Sequence, residues 1–117
     1  MDPKAISAQI SVSAQIQPSD VKAIADMGYR SIICNRPDGE AADQPTFDEI
    51  ASAARAAGLE TRFQPIISGK VQDTDADAFG DALMELPGPV FAYCRTGTRC
   101  ATLWSLAQAK TMPSTEI

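Results

Sequence analysis

Histidine is absent from all 117 residues. That absence removes the Ser-His-Asp and Cys-His routes to an activated nucleophile, together with any histidine-ligated zinc site. Positive charge is scarce as well: 10 Lys and Arg stand against 15 Asp and Glu, a net charge of −5. Such a balance repels nucleic-acid phosphates and anionic lipid headgroups, so no nucleic acid and no membrane is expected as a partner. No run approaches the roughly 18 apolar residues of a membrane span, and the opening residues lack the basic start and apolar stretch of a secretory signal. The three cysteines (Cys34, Cys94, Cys100) are an odd number without a C-x-x-C pair. Free thiols in a cytoplasmic chain are the economical reading, with no disulfide framework, metal or cofactor.

What is present is enough for one core. At 117 residues and 44% hydrophobic composition, the expectation is a single domain over 1–117, with a flexible tail over 111–117. The segment 9–13 (QISVS) alternates and reads as a strand, and 18–27 carries Val21, Ile24 and Ala25 on one helical face, closed by Gly28. YRSIIC, residues 29–34, is a second strand, and NRPDGEAADQP, residues 35–45, is turn chemistry. Thr46 and Glu49 form a T-x-x-E capping box for a helix through Ala57, stopped by Gly58. A third strand is expected over 60–66, although Pro65 limits its pairing. After a polar loop, Thr74 or Asp75 caps a helix with Phe79, Ala82, Leu83 and Leu86 on one face. The run VFAY, residues 90–93, is continuously apolar, as a strand buried on both faces should be. A last helix starts near Thr98. This alternation specifies an α/β fold: a small, mostly parallel sheet of four to five strands with helices on both faces.

In such sheets ligands bind beyond the carboxyl ends of the strands. The loop Cys94-Arg95-Thr96-Gly97-Thr98-Arg99 lies there. A cysteine between a buried strand and a helix start faces converging amides and the positive end of the helix dipole. Two arginines and a nest-forming Gly97 add to this, so Cys94 is expected to be a low-pKa thiolate without any histidine base. Under any chemistry of this loop Cys94 is the nucleophile, while Arg99, Arg95 and the backbone of Thr96, Gly97 and Thr98 hold an anion. In the other edge loop, Arg36 could touch substrate and Asp38 could orient Arg99, or the two could simply shape a tight turn. Cys100 reads first as a small buried side chain, with a weak donor to Cys94 or a resolving redox thiol as alternatives. Cys34 reads as a buried small hydrophobe.

The run CRTGTR resembles the active-site loop of rhodanese-type sulfurtransferases, and also the signature loop of cysteine phosphatases. Beyond it, SVSAQIQPSDV, GYRSIICNRPDGE, AARAAGL and GPVFAYCRTGTR are similar to the phosphatase-like domain of beta-lactamase-hydrolase-like proteins, from about Ile10 to Ala107. Members of that family occur fused to persulfide-dioxygenase-like metallohydrolases or flavin-dependent sulfide-oxidising enzymes. The resemblance implies a fold like that of dual-specificity phosphatases, a link to sulfide metabolism and a protein partner of the sulfide-oxidising type.

Three departures from the phosphatase pattern favour sulfur transfer. Four residues separate Cys94 from Arg99, where phosphatase loops have five, and Tyr93 stands where they carry histidine. The stretch 65–69 (PIISG) also lacks the aspartate that serves phosphatases as general acid. Without an acid, expelling an alkoxide or phenolate slows by ~10²–10⁴-fold, whereas sulfite or a thiolate leaves readily. The first expectation is therefore a sulfurtransferase forming a Cys94 persulfide from a small anionic donor such as thiosulfate or glutathione persulfide. The alternative is a phosphatase acting on a phosphate ester through phosphocysteine, with Asp38, Asp73 or Asp75 as the acid. A third reading is a non-enzymatic module that docks to a sulfide-oxidising partner.

Overall fold

The computed structural model describes residues 1–111. The tail expected to be flexible, 111–117, falls outside the described residues except for Thr111, which closes the last helix. Five strands form one sheet in the order β1-β2-β5-β3-β4: β1 (Lys4–Ala5), β2 (Ile10–Ser13), β3 (Ser31–Cys34), β4 (Glu60–Phe63) and β5 (Val90–Tyr93). Strands β2, β5, β3 and β4 run parallel, and only β1 is antiparallel to its neighbour. The parallel four are the strands the hydrophobic pattern marks. β1 carries no such pattern, because its two exposed residues pair through backbone alone.

Central β5 explains the apolar run. Phe91 and Tyr93 point to one face, packing with Ile32, Cys34 and residues of α1 (Val21–Asp26) and α2 (Phe47–Ala56). Val90, Ala92 and Cys94 point to the other, against α3 (Asp73–Glu85) and α4 (Thr98–Thr111). A period of two thus divides one continuous apolar segment between two helical layers. Each large side chain buried this way contributes about 1.5–3 kcal/mol.

Local chemistry sets the ends of the elements. Thr46 Oγ1 accepts the Glu49 amide at 3.2 Å while Glu49 Oε1 accepts the Thr46 amide at 2.8 Å, the reciprocal box that opens α2. The segment expected as one helix from Pro18 begins instead as a 3₁₀ turn, Pro18–Asp20, because Asp20 reaches back to the Gln17 amide at 2.8 Å. β4 ends at Phe63 rather than Ile66; Gln64 and Ile66 still donate to Cys34 and Asn35 carbonyls, but Pro65 between them has no N–H. The α3 cap lies two residues before Thr74, the earlier of the two expected: Gln72 is the N-cap, and Asp75 accepts its amide at 2.9 Å from inside the helix.

Candidate active site

The four parallel strands end at one edge, and their exit loops assemble there. Cys94 leaves β5 with its amide bonded to the Ser13 carbonyl at 3.3 Å, and the Gln15 amide bonds Arg95 carbonyl at 3.2 Å. The loop then turns through Gly97 at φ +94°, and α4 starts at the next residue. That left-handed turn aims the Gly97 amide at Cys94 Sγ, 3.0 Å away. Any Cβ at this position would sit 3.4 Å from the Ser13 backbone carbon in a conformation L-residues disfavour.

Cys94 is only 1% exposed, yet its thiol is lowered to about 5. The largest cause is a hydrogen bond from the Cys100 thiol; the amides of Cys100, Thr96 and Arg99 add to it and together outweigh the desolvation that opposes them. The amides are the kind of donor the loop pattern leads one to expect, but the largest contribution comes from the Cys100 S–H and not from arginine charge. Arg95 is exposed, and the thiolate is held chiefly by its neighbour's S–H and by backbone. Cys100 is itself pushed well up by burial and by the adjacent thiolate, so it stays protonated and donates. Cys34 is a buried thiol raised by desolvation, bonded to the Arg36 carbonyl at 3.3 Å.

Arg99 is 7% exposed and fixed from three directions. Its Nη1 and Nη2 donate to the two carboxylate oxygens of Glu40 at 2.7 and 2.8 Å, and Nη1 also reaches the Ile66 carbonyl at 2.9 Å. Glu40 in turn accepts Arg36 Nε at 2.9 Å, and Arg36 Nη1 donates to Gln15 Oε1 at 3.0 Å. Flanked by two guanidiniums, first of all by Arg99, the Glu40 carboxyl is held at about 2. One ionic chain thus ties the exits of β2, β3, β4 and β5 together.

Two expectations are corrected here. Asp38 neither orients Arg99 nor stands free as an acid, because its Oδ1 accepts the Phe47 amide at 2.8 Å and caps α2. Arg36 does not line the cleft where substrate would sit; it is buried behind Glu40 and supports it. Glu40 and Gln15 are the site residues that pattern reading misses. Glu40 lies four residues after Arg36 in the same turn, but its main partner, Arg99, is 59 residues away, beyond what local spacing shows.

A cleft of about 390 Å³ opens over the loop. Arg95, Thr96, Thr98, Arg99 and Thr102 form one side, and Ser68, Gly69 and Val71 the other. No carboxylate lines it. Asp75 is committed to its capping bond, and Asp73 lies on α3 outside the lining. A larger groove of about 1190 Å³, lined in part by Met84, Trp104 and Pro89, lies at the opposite edge, where β2 and β5 begin; it contains none of the loop's thiol or arginine side chains. Among the described residues no cluster of three carboxylates or thiols is grouped to hold a metal ion, and no helix is long and apolar enough to cross a membrane.

Residues 2–111 match the family described as the beta-lactamase hydrolase-like protein, phosphatase-like domain. Beta-lactamase hydrolase-like proteins of Agrobacterium fabrum and Xylella fastidiosa are each 38% identical, over 104 and 103 residues, covering 89% and 88% of this chain. The chain spans 24% of the length of each of these relatives. Among solved structures, a phosphatase candidate from Neisseria meningitidis superposes with a TM-score of 0.86 at 37% identity, covering 94% of this chain and 79% of that one. The core catalytic domain of a PP-IP phosphatase from S. cerevisiae, in complex with citrate, gives a TM-score of 0.66 at 10% identity over 97% of this chain and 78% of its own, a likeness of fold. These likenesses are to phosphatases and phosphatase-like domains, which moves the weight from sulfur transfer to phosphoryl transfer. With a parallel sheet that delivers a cysteine–arginine loop to its carboxyl edge, and with matches along nearly its whole described length, the chain belongs to the phosphatase-like domain family of the beta-lactamase hydrolase-like proteins.

Proposed function

We propose that this domain is a cysteine-dependent phosphatase, a hydrolase that passes a phosphoryl group through Cys94. One observation carries the reading: a thiolate ringed by amides stands beside an arginine that Glu40 and Ile66 hold in a fixed orientation. A preset cation and convergent N–H groups stabilise charge on transferring phosphoryl oxygens without reorganising during the reaction. In the first step Cys94 Sγ attacks phosphorus, an S–P bond forms and the P–O bond to the leaving group breaks. In the second, water attacks the phosphocysteine, the S–P bond breaks, and phosphate and the thiolate are released. A thiol lowered to about 5 is ionised at neutral pH and departs readily in the second step.

The test is to mix the protein with p-nitrophenyl phosphate, quench with acid and read the intact mass. Wild type should carry one phosphoryl group on Cys94 and release nitrophenolate, and Cys94→Ser should do neither. Turnover that persists in Cys94→Ser would remove the proposal.

Sulfur transfer stands as a second reading for one reason: the four-residue spacing between Cys94 and Arg99 makes a tight ring that suits a single sulfane sulfur. Treatment with thiosulfate or glutathione persulfide, followed by the same mass measurement, separates the two. Gain of one sulfur atom on Cys94, removable by cyanide, would support a persulfide carrier.

A further inference from the structure

Resting on the phosphatase reading, we infer that the substrates of this site are phosphoanhydrides, whose leaving group is itself a phosphate, rather than phosphate esters of alcohols. The inference comes from what surrounds the cleft. A phosphatase that cleaves esters must protonate the departing oxygen, because an alkoxide is about as basic as hydroxide and a phenolate has a conjugate acid at about 10. No group placed here does so. Histidine is absent, and the side chains along the cleft are arginines, hydroxyls and Val71. The Glu40 carboxylate is paired with Arg99 and Arg36, Asp38 and Asp75 accept helix-start amides, and Asp73 lies on α3 outside the lining.

Instead of an acid, the cleft offers cations and hydroxyls to a departing anion. Arg99, oriented by Glu40 and the Ile66 carbonyl, serves the phosphoryl group at Cys94, whereas Arg95 on the rim is exposed and forms no ion pair among the described residues. The hydroxyls of Ser68, Thr96, Thr98 and Thr102 line the same space. A second phosphate seated against Arg95 would leave as a dianion whose conjugate acid has a pKa near 6–7, within reach without proton donation. No aromatic side chain lines the cleft to sandwich a phosphotyrosine ring.

The chemistry balances without a co-reactant. Cys94 Sγ attacks the terminal phosphorus, and the bridging oxygen departs with its bonding electrons as part of the leaving phosphate. Water then attacks phosphocysteine; one of its protons stays on the new phosphate, the other goes to solvent, and the thiolate is regenerated.

The experiment measures kcat/KM at pH 6.5 for pyrophosphate, p-nitrophenyl phosphate, phenyl phosphate and glycerol phosphate, with phosphocysteine trapped in parallel. The expected order follows leaving-group pKa, with pyrophosphate exceeding glycerol phosphate by about 10²-fold or more, the span a general acid would otherwise supply. Arg95→Ala should lower kcat/KM for pyrophosphate by about 10-fold more than it lowers that for p-nitrophenyl phosphate, a selectivity change that mere loss of folded protein cannot produce. Near-equal rates on all four substrates, with phosphocysteine trapped, would overturn the substrate class and leave the phosphatase standing. Absence of phosphocysteine with every substrate would remove the phosphatase reading and this inference together.

Discussion

Two cysteines six positions apart hold different protonation states in this site, and each explains the other. Cys94 is ionised because Cys100 donates to it, and Cys100 stays protonated because it is buried beside that anion. A hydrogen bond to a charged acceptor contributes about 1.5–3 kcal/mol, or roughly one to two pKa units. Cys100→Ala should therefore move the midpoint of Cys94 alkylation by iodoacetamide upward from about 5 by on the order of one unit. Cys100→Ser keeps a donor and should restore most of the difference. In wild type the thiolate fraction, and the rate with it, rises with pH through about 5; an unchanged midpoint in Cys100→Ala would show that the amides alone hold the charge. The sequence made Cys94 and Arg99 visible because strand, cysteine, glycine, arginine and helix follow one another within ten residues. It offered the donor role of Cys100 only as an alternative, since a thiol in a first helical turn reads first as a small packing residue.

At the scale of elements, the loop after β3 works as a set of ties. Asp38 secures the start of α2 through the Phe47 amide, so Asp38→Ala should lower stability by about 1 kcal/mol in urea denaturation and leave kcat/KM within about 2-fold. A loss of activity exceeding about 10² would restore Asp38 as the proton donor. The loop after β5 depends on Gly97. Its φ of +94° and its amide, 3.0 Å from Cys94 Sγ, are one feature. Gly97→Ala should cost about 1–2 kcal/mol of stability, and the displaced amide should raise the Cys94 alkylation midpoint. Loss of stability without movement of that midpoint would mean the Gly97 amide contributes nothing to the thiolate. The same elements show what a pattern can announce. β5 was legible because all four of its residues are apolar and buried, and α2 because its capping box is local. β1 was not, because a two-residue edge strand is held by ladder bonds that leave no hydrophobic trace.

For the whole molecule, the chain Gln15–Arg36–Glu40–Arg99–Ile66 is the bond between the site and the stability of the fold. It joins loops from four strands through one carboxylate, and all of its long-range partners are out of reach of sequence spacing. With Glu40 only partly exposed and both guanidiniums buried, removing its charge leaves two cations facing each other without their counter-ion. Such a break costs on the order of 3 kcal/mol. The pH dependence follows from the direction of the shift. Glu40 falls from the ordinary 4.5 to about 2 on folding, so its contribution is complete above about 4.5 and fades as pH drops toward 2. Glu40→Gln has no such titration. Urea midpoints should therefore show the variant well below wild type at pH 7, with the gap shrinking by more than half by about pH 3. A gap that stays constant from pH 7 to pH 3 would mean that Glu40 acts by shape and not by charge. In that case the fixed orientation of Arg99, on which phosphoryl binding rests, would need another source.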